Sequence, residues 1–218
     1  MSKKMTFDEG VTLLGGGPVS SDALEEALTV APRLICADGG ARHLAGRKPD
    51  GIVGDLDSLE DVEGWRAALG ERLIHFPDQD DTDFQKCLRA IAAPFFIGVG
   101  FQGGRVDHSL AALSALLEEP RPIALLSEDD VIVAAGRAVD VETRPGERIS
   151  IYPLRDVVVE NATGLRWPAT GLHMASGGRI GTSNEATGAS TSLRFDAPGA
   201  LLIGPRAMLV RMLAAVRP

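Results

Sequence analysis

Residues 34–58 read LICADGGARHLAGRKPDGIVGDLDS. Two short apolar runs stand in this stretch, Leu34-Ile35-Cys36-Ala37 and Ile52-Val53. The first stops at Asp38-Gly39-Gly40, with a helix expected after it, and the second stops at Gly54-Asp55. Runs that are apolar throughout, with no polar alternation, mark strands covered on both faces, as in a parallel sheet packed between helices.

The same unit recurs on either side. Val11-Thr12-Leu13-Leu14 ends in Gly15-Gly16-Gly17, after which Ser20 or Ser21 can cap a helix reaching about Val30. Leu73-Ile74-His75-Phe76 ends at Pro77-Asp78, Phe95-Phe96-Ile97-Gly98-Val99 at Gly100, and Ile123-Ala124-Leu125-Leu126 at Ser127-Glu128. Strands alternating with helical stretches predict βαβ units in a mostly parallel sheet, a Rossmann-like layout. Ligands of such sheets bind beyond the carboxyl ends of the strands, and every Gly/Asp segment here falls at such an end.

The rhythm changes after about Asp129. Val131-Ile132-Val133, Ile149-Ser150-Ile151-Tyr152, Val157-Val158-Val159 and Ser192-Leu193-Arg194-Phe195 are separated by Gly and Pro turns, with no helical pattern from 130 to about 204. This predicts an antiparallel β-sandwich. The expected domains are 1–128, α/β, and 129–218, all-β.

Composition narrows the function. The chain is 44% hydrophobic, enough for a packed core, and its net charge of -8 argues against nucleic acid, whose phosphates are held mainly by Lys and Arg. Cys36 and Cys87 form no CxxC or Cys/His cluster, so zinc is not expected and a reducing compartment is. No apolar segment follows the Lys3-Lys4 start, and no stretch approaches the roughly 18 apolar residues of a membrane span. A soluble, cytoplasmic protein without membrane partners is expected.

Four segments carry chemistry. Asp55 and Asp57, two apart in an extended chain, would present both carboxylates on one side, a set suited to a hard cation such as Mg²⁺; an Asx-type turn explains the same pair. In Asp78-Gln79-Asp80-Asp81-Thr82-Asp83-Phe84-Gln85-Lys86-Cys87-Leu88, the spacing of Phe84, Leu88 and Ile91 predicts a helix capped by Asp81 or Thr82. Capping leaves four Asp within six residues, which repel one another unless a cation sits among them. Lys86 can meet a phosphate or pair with Asp83. Gly100-Phe101-Gln102-Gly103-Gly104-Arg105-Val106-Asp107-His108 joins a strand to a helix with Leu110, Leu113 and Leu117 on one face. A helix start binds phosphate and Arg105 offers a forked donor, while Asp107 can cap the helix, hold Arg105 or ligate metal. Gly181-Thr182-Ser183-Asn184-Glu185-Ala186-Thr187-Gly188 reads as a hairpin loop, and Trp167 can stack on a flat ring or pack in the core.

Taken in order, ADGG (37–40), GDLDS (54–58), DQDDTDFQKCL (78–88), GGRVDH (103–108) and TSNE (182–185) resemble the thiamine pyrophosphokinase family. The resemblance implies an α/β nucleotide-binding domain followed by a β-sandwich. It implies transfer of a pyrophosphoryl group from ATP to the hydroxyl of thiamine, giving thiamine diphosphate and AMP. Under it, Asp55, Asp57 and Asp83 hold Mg²⁺. Gly16, Gly17, Asp38, Gln79, Lys86, Arg105 and Asp107 lie around the phosphates and transfer site. Ser183, Asn184 and Trp167 serve thiamine, in a homodimer with the active site at the interface.

Overall fold

The computed structural model describes residues 5–77 and 80–217. The chain divides into two compact units, Met1–Ala115 and Leu116–Pro218.

The first unit runs β1 (Met5–Thr6), β2 (Val11–Leu14), α1 (Ser21–Val30), β3 (Arg33–Ala37), β4 (Gly51–Gly54), α2 (Val62–Leu69), β5 (Leu73–His75), α3 (Asp83–Ala90), β6 (Ile91–Ala92), β7 (Phe96–Val99) and the start of α4 (Val106–Glu118). Its strand pairs β1–β6, β2–β7, β3–β4 and β4–β5 are all parallel. The residues of β2, β4 and β7 are buried without interruption, as their continuous apolar runs require. Phe84 and Phe96 are fully buried, and each contributes on the order of 2–3 kcal/mol by leaving water. Cys36 and Cys87 are buried and unpaired, and burial pushes the Cys36 thiol up to about 12.

Local chemistry sets the element ends. Thr82 caps α3 through a reciprocal box: its side chain accepts the Gln85 N–H at 3.4 Å, while Gln85 Oε1 accepts the Thr82 N–H at 3.1 Å. The helix expected after Gly40 is a short 3₁₀ segment, Asp38–His43. Two adjacent glycines are poor α-helix formers. In α4 the leucine face is partly exposed. Ala112, Ala115 and Leu116 are buried, whereas Leu110 is 55% exposed.

The second unit runs β8 (Ile123–Leu126), β9 (Asp130–Ala135), β10 (Ala138–Glu142), β11 (Arg148–Pro153), β12 (Val157–Thr163), β13 (His173–Met174), β14 (Gly181–Glu185), β15 (Ser190–Phe195), β16 (Ala200–Pro205) and α5 (Leu209–Ala215). Two antiparallel arrays form, β8–β9–β16–β11–β14 and β10–β15–β12–β13. Period-two burial is clear in β10, where Val139 and Val141 face inward between exposed residues. The run at 123–126 reads by sequence as the last parallel strand. It also turns back through Ser127, whose N–H meets the Asp130 carbonyl at 2.9 Å, and pairs antiparallel with β9. Residues 181–185, read as loop, form strand β14. Among the described residues no helix is long and apolar enough to cross a membrane.

Candidate active site

The carboxylate of Asp38, just beyond β3, is buried. One oxygen accepts the Gly39 N–H at 2.7 Å and the other the Leu56 N–H at 2.9 Å. Leu56 is left-handed, φ 68°, a conformation costing a non-glycine residue about 1–3 kcal/mol unless its surroundings enforce it. Asp38 supplies that enforcement. The extended Asp55-Leu56-Asp57 expected from sequence is therefore a kink, and the Asp57 N–H points back to Asp55 Oδ1 at 3.4 Å. The kink still gathers the acids: one oxygen each from Asp38, Asp55 and Asp57 lies within 4.8 Å of the others. A Cβ on Gly54 would fall 2.6 Å from the Asp38 carboxylate, so only glycine lets β4 end here.

Lys86 reaches this cluster from the buried face of α3. Its ammonium donates to Asp55 Oδ2 at 3.0 Å, and Asp83 Oδ1 stands 3.8 Å away. The Asp83 pairing open to Lys86 by sequence is present at 3.8 Å, second to the Asp55 contact. Asp81, one residue before the cap, is ion-paired with Arg89. The acid run thus recruits cations from its own helix. Gln79 lies outside the described residues.

The carboxyls titrate apart. Burial, reinforced by the charge of Asp83, pushes Asp38 up to about 6. Burial also works against a charged Asp55, but hydrogen bonds from Lys86 and Asp57 outweigh it and hold that carboxyl well below the usual range. Asp83 is raised, by burial first and by the neighbouring acids, with Lys86 opposing. Burial opposes the Lys86 charge, yet Asp55 and Asp83 keep its ammonium more basic than usual. Three convergent carboxylate oxygens form a donor set that fits a hard divalent cation.

Beside the acids lies a cavity of about 610 Å³ lined by Gly16, Gly17, Asp83, Phe101, Gly104 and Arg105, among others. The Gly17 N–H bonds to the Gly100 carbonyl at 2.7 Å, and a Cβ there would sit 2.8 Å from that oxygen. Gly103 and Gly104 have positive φ, 77° and 65°, and carry the chain to the start of α4. Arg105 and Asp107 form a forked pair at 2.6 and 3.1 Å, both side chains exposed. The hydrogen bond from Arg105 holds the Asp107 carboxyl below its ordinary value. Phe101 and Arg42 also line this cavity. Phe101 packs on Phe84 with ring centroids 4.6 Å apart. Neither residue stood out by sequence, because a lone Phe or Arg carries no pattern of its own.

In the second unit a cavity of about 450 Å³ is lined by Trp167, Met174, Arg179, Thr182, Ser183 and Asn184, among others. Asn184 is buried and clamps Trp167 at both backbone poles: Oδ1 accepts its N–H at 3.1 Å and Nδ2 donates to its carbonyl at 2.8 Å. Ser183 is left-handed, φ 59°, its N–H held by Ser150 Oγ at 2.9 Å. The register between β11 and β14 shifts there, which makes Ser183 part of a β-bulge that re-aims the strand. Trp167 is 52% exposed, with the Arg166 guanidinium 5.0 Å from its ring centroid. It is presented rather than packed in the core.

Two family profiles match the chain: "Thiamin pyrophosphokinase, catalytic domain" over residues 24–125 and "Thiamin pyrophosphokinase, vitamin B1 binding domain" over residues 138–199. The chain belongs to the thiamin pyrophosphokinase family. As a thiamin pyrophosphokinase family enzyme it is 30% identical to thiamine pyrophosphokinase 2 of Arabidopsis thaliana, over 69% of each chain. The crystal structure of thiamin pyrophosphokinase from Geobacillus thermodenitrificans superposes with a TM-score of 0.74 at 26% identity, covering 90% of this chain and 96% of that one. The fold is shared with thiamin pyrophosphokinase from Candida albicans, TM-score 0.78 at 17% identity, over 94% and 93% of the two chains. The family's catalytic-domain match spans Asp38, Asp55, Asp57, Asp83, Lys86 and Arg105, and its second match spans Trp167, Ser183 and Asn184.

Proposed function

We propose that this enzyme transfers the pyrophosphoryl group of ATP to the hydroxyl of thiamine, giving thiamine diphosphate and AMP, in a Mg²⁺-dependent reaction. The observation that carries this reading is the convergence of Asp38, Asp55 and Asp57 near a glycine-lined cavity that includes Asp83 and Arg105. Residues 1–128 would bind ATP and residues 129–218 thiamine. Asp55 and Asp57, which converge with Asp38, and Asp83, which shares Lys86 with Asp55, are the proposed Mg²⁺ ligands. Gly16, Gly17 and Arg105 face the phosphates, and Trp167, Ser183 and Asn184 the thiamine side. Bound Mg²⁺ would neutralise phosphate charge and make Pβ more electrophilic.

In the proposed reaction the thiamine hydroxyl oxygen bonds to Pβ while the bond from Pβ to the bridging oxygen breaks, and AMP leaves with that oxygen. The alcohol proton passes to a carboxylate. Asp83 and Asp107 are the candidates for that carboxylate. Arg105 balances charge on the transferred and leaving phosphates. We further propose a cytoplasmic homodimer with the active site completed at the interface. Exposed Val106 and Leu110, one turn apart at the start of α4, support a partner surface.

Purified enzyme with ATP, Mg²⁺ and thiamine should yield AMP and thiamine diphosphate in equal amounts, resolved by ion-exchange chromatography. ADP in place of AMP, or no thiamine-dependent product, overturns the proposal.

A further inference from the structure

We propose that a second hollow in the first unit binds a small organic phosphate with a flat apolar body. This cavity, about 790 Å³, shares no lining residue with the glycine-lined one. It lies where the chain leaves the 3₁₀ segment at Leu44, beside α2.

The lining is divided by chemistry. Leu44, Pro49 and Leu69 are buried and apolar, and Trp65 is part-buried against the same core cluster. Arg47, Lys48 and Arg72 supply three cations to the same cavity. Asp50 is the one acid among the lining residues, and it is already engaged by the Leu34 N–H at 2.9 Å and by Arg33 at 3.6 Å. Arg47 is tied to Glu25 and to the Leu44 carbonyl. Among the described residues, the side chains of Lys48 and Arg72 have neither a hydrogen bond nor an ion pair, and both residues are exposed.

Three cations around one cavity run against the net charge of -8 of the whole chain. An apolar base with a few convergent polar groups is the usual makeup of a small-molecule site. Guanidinium and ammonium groups select phosphate, and an indole selects a flat ring. The occupant thus carries both features on one molecule.

Titration calorimetry with 1-naphthyl phosphate tests this on the full chain, wild type against Lys48→Ser/Arg72→Ser. Saturable binding is expected in the wild type, weakened roughly tenfold or more in the double variant, because two charge-assisted hydrogen bonds are removed. Both substitutions are at exposed side chains, so the thermal midpoint should not move. Inorganic phosphate and 1-naphthol should each bind more weakly than the combined probe. An isotherm identical in the two proteins would place all binding elsewhere and overturn the proposal, as would the absence of saturable binding. The result does not depend on turnover at the glycine-lined cavity, so it stands or falls separately from the proposed reaction.

Discussion

Asp38 accepts the backbone N–H of Leu56 at 2.9 Å, and Leu56 is the left-handed residue between Asp55 and Asp57. The spacing of those two carboxylates is thereby set by a third that reaches across from a neighbouring strand. Asp38→Asn replaces one of two acceptors with an amide donor and leaves a part-buried N–H unmet. A loss of about 1–3 kcal/mol in stability is expected from that orphaned group. Mn²⁺ affinity of the protein, read by electron paramagnetic resonance, should fall together with turnover. Wild-type Mn²⁺ binding in a folded variant would remove Asp38 from this role.

Lys86 is the cation buried among the same acids, its side chain 3% exposed. Lys86→Met leaves Asp55 and Asp83 facing each other without it. Breaking a buried pair from one side costs on the order of 3–5 kcal/mol. Melting should therefore drop sharply in EDTA and recover in part with Mg²⁺, a metal dependence larger than in the wild type. Equal shifts with and without metal would mean that Lys86 contributes packing alone.

Asn184 holds Trp167 by its backbone, and Trp167 is an exposed aromatic lining the second-unit cavity. Asn184→Ala should raise the KM for thiamine by roughly tenfold while changing kcat less, since a lost positioning clamp acts on binding. A fall in kcat at constant KM would contradict the assignment.

Arg211 and Glu147 form a two-bond pair at 2.7 and 2.8 Å, with side chains 16% and 19% exposed. The hydrogen bond from Arg211 is the main reason the Glu147 carboxyl lies below its ordinary value of 4.5. A lowered acid stabilises the fold above its unfolded value and loses that contribution as pH falls through the folded one. Arg211→Met should thus cost about 1–3 kcal/mol near neutrality, and the gap from wild type should narrow as pH drops below about 4. Urea titrations across pH measure it; a gap independent of pH refutes the pairing as its source.

Much of this architecture is legible in residues alone. Unbroken apolar runs bounded by glycine, such as Phe96-Ile97-Gly98-Val99, mark strands covered on both sides, and the glycines and acids that end them mark the rim. Thr82 with Gln85 declares the start of α3 by a local rule. What escapes is whatever depends on distant partners. Leu56 gives no local sign of left-handedness, because the group that enforces it is 18 residues away. Ser183 turns a loop-like GTSNE into a bulged strand only because β11 lies beside it. The set of acids was readable by composition; that Asp38 stands under the other two was not.

Gly40 packs so closely that a Cβ would fall 2.0 Å from the Leu14 carbonyl, and one on Gly54 would press into the Asp38 carboxylate. The first obstacle is backbone, and the second is a side chain held by two backbone N–H groups. In evolutionary terms these are positions that point mutation can visit only by undoing two strand ends at once. Relatives that have drifted far apart elsewhere should still share a residue without a side chain at both places, and a homologue that lacks it should prove to have given up the reaction.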